Sequence, residues 1–266
     1  MGVCSRNTHA QQDYIDFICE TVPLQLNGMK LVIDCANGAA SYVAQKALTR
    51  LGADVTVIHN QPNGTNINAA CGSTHMESLC ETVKKEGAAL GFAFDGDADR
   101  CLAVDENGKV VNGDEMMMIC ARYLKSKGAL KNNTLVATVM SNLGLFIAAE
   151  KQGIEVLKTK VGDRYVLEEM RAGGHCIGGE QSGHIIYLDY NSTGDGLLSA
   201  AMLLRVISEE KKPLSELAKV VHILPQALRN AKVKNEYKES FSQHPEIAAA
   251  IQQLEQKFAG MGRILI

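Results

Sequence analysis

Three aspartates at alternating positions, Asp95, Asp97 and Asp99, with Arg100 directly after them, form the densest chemistry in this sequence, in the stretch L-G-F-A-F-D-G-D-A-D-R. Gly96 and Ala98 are small enough for a tight loop to turn all three carboxylates toward one point. Three anions that close repel one another unless a cation lies among them, and oxygen ligands suit a hard ion such as Mg2+ or Ca2+. Mg2+ commonly keeps positions for water or a phosphate oxygen, and Arg100 would carry the same positive field toward an anionic ligand. The competing reading is an acidic turn at a strand end, solvated and without a ligand.

Two other carboxylate chemistries fit less well. An EF-hand loop starting at Asp95 would put Glu106 on its twelfth place, but Arg100 would occupy the sixth, where glycine is needed. A haloacid-dehalogenase-type phosphatase carries its nucleophile in D-x-D-x-[TV] near the start of its domain. Here the last place is Asp99, and the motif lies far into the chain.

Two further stretches are candidates for a ligand pocket. In I-G-G-E-Q-S-G-H, residues 177–184, paired glycines allow close backbone approach, while Glu180, Ser182 and His184 alternate and would share one face of a strand. Carboxylate, hydroxyl and imidazole together suit a polyol; a glycine-rich turn around a satisfied core histidine is the competing reading. In K-T-K-V-G-D-R-Y, residues 158–165, two lysines and an arginine flank a Gly-Asp turn. A solvated charge cluster explains that composition equally well.

These residues need elements to position them. The run M-K-L-V-I-D at 29–34 is short and almost continuously apolar, as in a strand buried on both faces of a parallel sheet. A helix over 41–51 ended by Gly52 and a strand over 54–58 complete a βαβ unit. Residues 60–73 read as a long polar loop, 76–86 as a helix, and 88–94 as the strand that delivers the aspartates. Ligands of open α/β sheets sit at such carboxyl ends of strands. Asn107-Gly108 predicts a hairpin between 101–105 and 109–111. The alternation then restarts, with helices at 114–125, 143–152 and 164–172 and strands at 134–139, 154–159 and 176–178. Helices are also expected over 10–20, 193–210, just after Pro213 and over 245–257; residues 221–231 read as extended and 262–266 as a strand. The fold class is therefore α/β, as two successive domains with mixed or parallel sheets, at 1–105 and 106–220, followed by the incomplete start of an α+β domain at 221–266.

The chain has 266 residues, 46% apolar and 21% charged, and a net charge of -3, which favours neither nucleic acid nor an anionic membrane. No apolar run spans a bilayer and the first residues form no signal-peptide core, so a soluble cytoplasmic protein is expected. Eight cysteines are scattered without a C-x-x-C pair and read as small buried hydrophobes in a reducing compartment. Three consecutive methionines, Met116 to Met118, read as core filler of a helix. The sequence carries no signal for an oligomeric state.

Taken in order, L-G-F-A-F-D-G-D-A-D-R, V-G-D-R-Y-V and G-G-E-Q-S-G-H, together with D-C-A-N-G-A-A at Asp34 and N-I-N-A-A-C-G-S-T-H at Asn66, resemble the α-D-phosphohexomutases across nearly the whole chain. The likeness is nearest to their bacterial glucosamine-phosphate branch; the phosphomannose and phosphoglucose branches share the metal loop. The resemblance implies that Asp95, Asp97 and Asp99 bind Mg2+, that Arg100 supports the metal loop, and that Glu180 and Ser182 hold sugar hydroxyls. It also implies that the loop over 161–164, with Asp163 and Arg164, lines a hexosamine phosphate site. Ala98 stands where glycine is often found in such loops. Family members have four domains, and two essential parts find no match here: the phosphorylatable serine in a Ser-His-Asn segment and an R-x-S-G-T phosphate loop. The resemblance thus implies a gene fragment or truncated chain carrying the second and third domains and the opening of the fourth, inactive on its own, of an enzyme that interconverts glucosamine 6-phosphate and glucosamine 1-phosphate through a phosphoserine.

Overall fold

A computed structural model describes residues 2, 5–229, 232–237, 240, 243–258 and 262–265. After helix α1 (Ala10–Thr21), the apolar run K-L-V-I-D becomes β1 (Lys30–Asp34), buried from its second residue onward. The helix expected over 41–51 is broken into a 3-10 turn (Ala39–Tyr42) and α2 (Ala44–Arg50), because Val43 between them departs from helical geometry at φ -127°. The chain then runs through β2 (Asp54–Ile58), α3 (Glu77–Glu86), β3 (Leu90–Phe94), β4 (Cys101–Asp105) and β5 (Val110–Val111).

These strands form one sheet in the order β2-β1-β3-β4-β5. β1 pairs in parallel with both β2 and β3, while β4 and β5 add as an antiparallel hairpin. All five residues of β3 are buried, which accounts for its continuous apolar sequence. Because Val110 and Val111 complete this sheet, it extends past the expected boundary at 105, which falls inside the β4–β5 hairpin.

The second sheet repeats the plan. Helix α4 (Gly113–Ser126), β6 (Thr134–Thr138), α5 (Leu143–Lys151), β7 (Glu155–Thr159), α6 (Asp163–Gly173), β8 (Ile177–Gly179) and β9 (Ile185–Tyr187) build a sheet of order β7-β6-β8-β9. β6 is the parallel centre and β9 is antiparallel to β8. Strand β9 has no counterpart in the sequence-based expectation; three residues are too few to show a period of two.

Helices α4 and α7 (Gly196–Glu210) pack against strands of both sheets, so one apolar core runs through the two units. Met116, Met117 and Met118 lie in that core, at most 1% exposed. Asn112 caps α4 with a full capping box: its side chain accepts from Asp114 and Glu115 N–H, and Glu115 returns a bond to the Asn112 N–H. Asp195 caps α7 by accepting the Leu198 N–H at 2.9 Å, and it also takes the Tyr14 hydroxyl at 2.8 Å, which draws α1 onto α7.

The chain continues with α8 (Leu214–Leu217) and α9 (Pro245–Phe258). Among the described residues, neither the stretch expected to be extended at 221–231 nor the strand expected at 262–266 pairs with a sheet; residues 230, 231 and 266, like Cys4, lie outside the described set. A strand is stabilised by a neighbouring strand's N–H and C=O groups; among the described residues no strand pairs with 262–265, and the Gly262 N–H turns back to the Phe258 carbonyl at 2.9 Å. No helix among the described residues is long and apolar enough to cross a membrane. The seven described cysteines are free. Burial raises their thiols, Cys35 and Cys120 to about 12, so they stay protonated and act as apolar packing.

Candidate metal and sugar site

β1 and β3 are adjacent and parallel, and the chain leaves β1 toward β2 on one side and returns at β3 on the other. Their carboxyl ends mark the switch point of the sheet, where open α/β folds leave a crevice. Asp95 follows β3 directly, and a turn closes as the Ala98 N–H donates to the Asp95 carbonyl at 3.2 Å. Ala98 sits at φ +62°, the left-handed region that favours glycine.

The loop is held from three sides. From the β1 end, the Ala39 N–H donates to the Gly96 carbonyl at 2.9 Å, and Gly38 lies so near that a Cβ on it would be 2.2 Å from the same oxygen. From α7, the Gly196 N–H donates to the Ala98 carbonyl at 2.9 Å. From the second sheet, Arg100 pairs with His184 as an antiparallel bridge, and the Cys101 N–H donates to the Gly183 carbonyl at 3.1 Å.

So held, Asp95, Asp97 and Asp99 each offer a carboxylate oxygen within 4.8 Å of the others. Burial, then the neighbouring Asp99 carboxylate, pushes the Asp95 carboxyl up to about 6. Asp99 Oδ1 is buried and takes no hydrogen bond, and Arg100 Nε likewise makes none, forming only long ion pairs of 3.9 Å with Asp95 and Asp99. A buried anionic oxygen without a hydrogen bond, in a group of oxygen donors that repel one another, fits a small hard cation. Beside Asp97 and Asp99 a cavity of about 600 Å³ opens, walled also by Tyr14, Tyr42 and Asn191.

A second group of possible ligands, Asp34, His59 and Cys71, lies at the end of β1. Here the carboxylate is already satisfied. Asp34 accepts from Ala36 N–H at 2.9 Å, Gly72 N–H at 3.0 Å and His59 Nδ1 at 2.9 Å. Burial and the Asp34 charge raise the Cys71 thiol. This group is a clasp that ties the loop over 60–73 to the sheet. Its partners are too distant in sequence for the clasp to be read there.

The glycine-rich stretch differs from the alternating strand expected of it. Residues 180–184 form the turn between β8 and β9, because Gly183 takes φ +93° and breaks the alternation. The three side chains therefore diverge. Glu180 turns to the loop before α6, accepting the Gly162 N–H on Oε1 at 3.1 Å. Ser182 is exposed. His184 is buried, 2% exposed, with its ring between Asp99 and Gly194.

Asp163 and Arg164 open α6 and are exposed; Arg164 Nε pairs with Glu168 at 2.7 Å. The structure thus brings all three sequence motifs to one hairpin: the aspartate loop through His184, and the loop over 161–164 through Glu180. Sequence reading missed Gly38, Gly194 and the Asp34 clasp as parts of this assembly.

The phosphoglucomutase/phosphomannomutase model for alpha/beta/alpha domain II matches residues 12–108, and that for domain III matches residues 112–223. Phosphoglucosamine mutase of Clostridium botulinum is 57% identical over 257 residues, 97% of this chain and 58% of that protein. The protein of the same description from Ruminiclostridium cellulolyticum is 57% identical over 258 residues, again 97% and 58%. The chain thus spans a little over half the length of these relatives. Among solved structures, a phosphoglucomutase/phosphomannomutase family protein of Burkholderia thailandensis superposes at a TM-score of 0.71 with 27% identity, covering 82% of this chain and 47% of that one. N-acetylphosphoglucosamine mutase of Aspergillus fumigatus shares the fold at a TM-score of 0.73 with 17% identity, over 93% of this chain and 62% of the other.

Proposed function

The chain belongs to the phosphoglucomutase/phosphomannomutase family of α-D-phosphohexomutases, and from that membership we propose that it supplies the metal-binding and sugar-binding domains of a phosphoglucosamine mutase. The reaction is the interconversion of glucosamine 6-phosphate and glucosamine 1-phosphate through a phosphoserine and a bisphosphate. The observation that carries this reading is the convergence of the aspartate loop, the 161–164 loop and the Glu180 turn on one hairpin. The relatives at 57% identity described as phosphoglucosamine mutases support the hexosamine over glucose or mannose.

In this reading Asp95, Asp97 and Asp99 hold Mg2+, with Arg100 beside them. The bound ion would neutralise charge on a phosphoryl group in transfer. Glu180 is fixed on one oxygen by the Gly162 N–H and, with the exposed Ser182, receives sugar hydroxyls. Asp163 and Arg164 line the approach at the start of α6. Because no Ser-His-Asn segment occurs in these 266 residues, they alone are expected to bind cation and sugar phosphate without turnover.

The test is a chimera in which these residues replace their counterparts in the Clostridium botulinum relative. Its kcat/KM for glucosamine 6-phosphate is expected to exceed those for glucose 6-phosphate and mannose 6-phosphate by at least about tenfold. Equal or reversed preference would overturn the hexosamine assignment. A folded chimera that binds Mg2+ but turns over none of the three would make the chain a binding module.

A further inference from the structure

We propose that Ile67 is a positioning residue for the aspartate loop: carried on the strap of chain over 60–73, its side chain bears on Gly96 and so keeps Asp95 and Asp97 at the spacing a cation requires. The inference rests on the reading of Asp95, Asp97 and Asp99 as a cation site, and it gives the strap a part in that site.

The strap has no apolar core of its own, since Ile67 is the only large apolar side chain between Asn60 and Ser73. It is fixed instead by hydrogen bonds to the turn after β1. Asn37 accepts the Gln61 N–H on Oδ1 at 3.1 Å and donates from Nδ2 to the Asn66 carbonyl at 3.4 Å. The Asn68 N–H donates to the Ala36 carbonyl at 2.9 Å, and the Gly72 N–H reaches Asp34 at 3.0 Å. Ala36, Asn68 and Ala70 take left-handed φ of 52°, 55° and 51°, a conformation that alanine holds only where its surroundings impose it. The far end of the strap then passes against the root of the metal loop: a Cβ on Gly72 would stand 2.5 Å from the carbonyl oxygen of Phe94, the residue before Asp95.

The contact itself is close. A Cβ on Gly96 would stand 2.7 Å from Ile67 Cδ1 and 2.8 Å from both Ile67 Cγ1 and Asn68 Nδ2. Gly96 is accordingly buried, whereas Asp97 beside it is exposed. The Gly96 carbonyl is held from the β1 end by the Ala39 N–H, so the link between Asp95 and Asp97 is fixed between two segments. Ile67 is 53% exposed. An exposed isoleucine is ordinary on a protein surface and adds little to a core, but this one lies against the residue between two cation ligands. Branching at Cβ limits its rotamers, which makes it a stiff prop. Without it, Gly96 is free to turn on that side, and carboxylates that repel each other can move apart.

Binding is measured on the full chain with Mn2+ as the probe, by loss of the free-ion electron paramagnetic resonance signal, with thermal unfolding in EDTA run alongside. Ile67→Ala is expected to lose about tenfold in affinity while unfolding within about 2 °C of the parent. Ile67→Val keeps both branches at Cβ and is expected to stay within about threefold of the parent. Gly96→Ala is expected to weaken binding as well, because its methyl displaces Ile67. Combined with Ile67→Ala, the same methyl fills the space that Cγ1 and Cδ1 leave, and the double variant should bind more tightly than either single one. Parent-like affinity in Ile67→Ala, or losses that simply multiply in the double variant, would overturn the proposal. So would an Ile67→Ala chain that unfolds well below the parent in EDTA, because the residue would then be a structural one. Absence of Mn2+ binding by the parent chain would instead remove the cation reading on which the inference stands.

Discussion

Replacing Asp95 by asparagine is expected to make the metal-free protein more stable at pH 7.5 while nearly abolishing its affinity for divalent cations. The Asp95 carboxyl is held at about 6 in the fold, against an ordinary value of 3.8. Below the ordinary value both folded and unfolded chains are protonated at this site, and the fold keeps its full stability. As pH rises from about 4 to 6 the unfolded chain ionises first, and the stability associated with the protonated carboxyl is lost. At neutral pH the ionised Asp95 is therefore a penalty of order 1–3 kcal/mol in the absence of a cation. Asparagine removes it and can still accept the Arg100 N–H that Asp95 Oδ1 receives at 3.2 Å. In EDTA at pH 7.5, Asp95→Asn is expected to unfold several degrees higher than the parent, the gap closing near pH 4. With Mg2+ added, the parent gains stability and the variant does not. A metal-free variant less stable than the parent at pH 7.5 would contradict the crowding of the three carboxylates.

Gly38→Ala is expected to destabilise the fold and to displace the aspartate loop together. A Cβ there would stand 2.2 Å from the Gly96 carbonyl oxygen and 2.8 Å from its carbonyl and α carbons. Every one of those atoms is backbone, so no side chain can swing aside. Either the aspartate loop or the end of β1 must move, and the bond from Ala39 N–H to the Gly96 carbonyl breaks with it. The expected cost is about 3 kcal/mol or slightly more, a fall in unfolding temperature of roughly 6–12 °C. Cation affinity should fall as well, because the displaced segment carries Asp95 and Asp97. Gly174→Ala is a useful contrast: a Cβ there meets nothing within 4 Å, although its φ of +66° carries a local strain of its own. If Gly38→Ala bound Mn2+ and unfolded as the parent does, the two strand ends would not be in the contact described.

What could be read from the sequence was local. The aspartate loop was legible because its carboxylates are adjacent in the chain and follow a run of buried residues that signals a central strand. The alternation of strands and helices was legible for the same reason. The partners of these residues were not. His184 and Asp99 are 85 positions apart, and nothing in the spacing of G-G-E-Q-S-G-H says that its histidine turns to the aspartates while its glutamate turns to Gly162. The expectation that Glu180, Ser182 and His184 share a face assumed an unbroken strand, and the left-handed Gly183 breaks it. Strand β9 and the interrupted helix at Val43 were obscured because tertiary contacts, more than local preference, shape both.

The central claim is that Asp95, Asp97 and Asp99 surround one divalent cation. Crystals of the 266-residue chain soaked in Mn2+, which takes the same oxygen ligands as Mg2+, test it most directly. The account predicts an anomalous difference peak bounded by the three aspartates, with Oδ1 of Asp99 facing it. A well-ordered loop with no peak there, or a peak at Asp34, His59 and Cys71 instead, would contradict it.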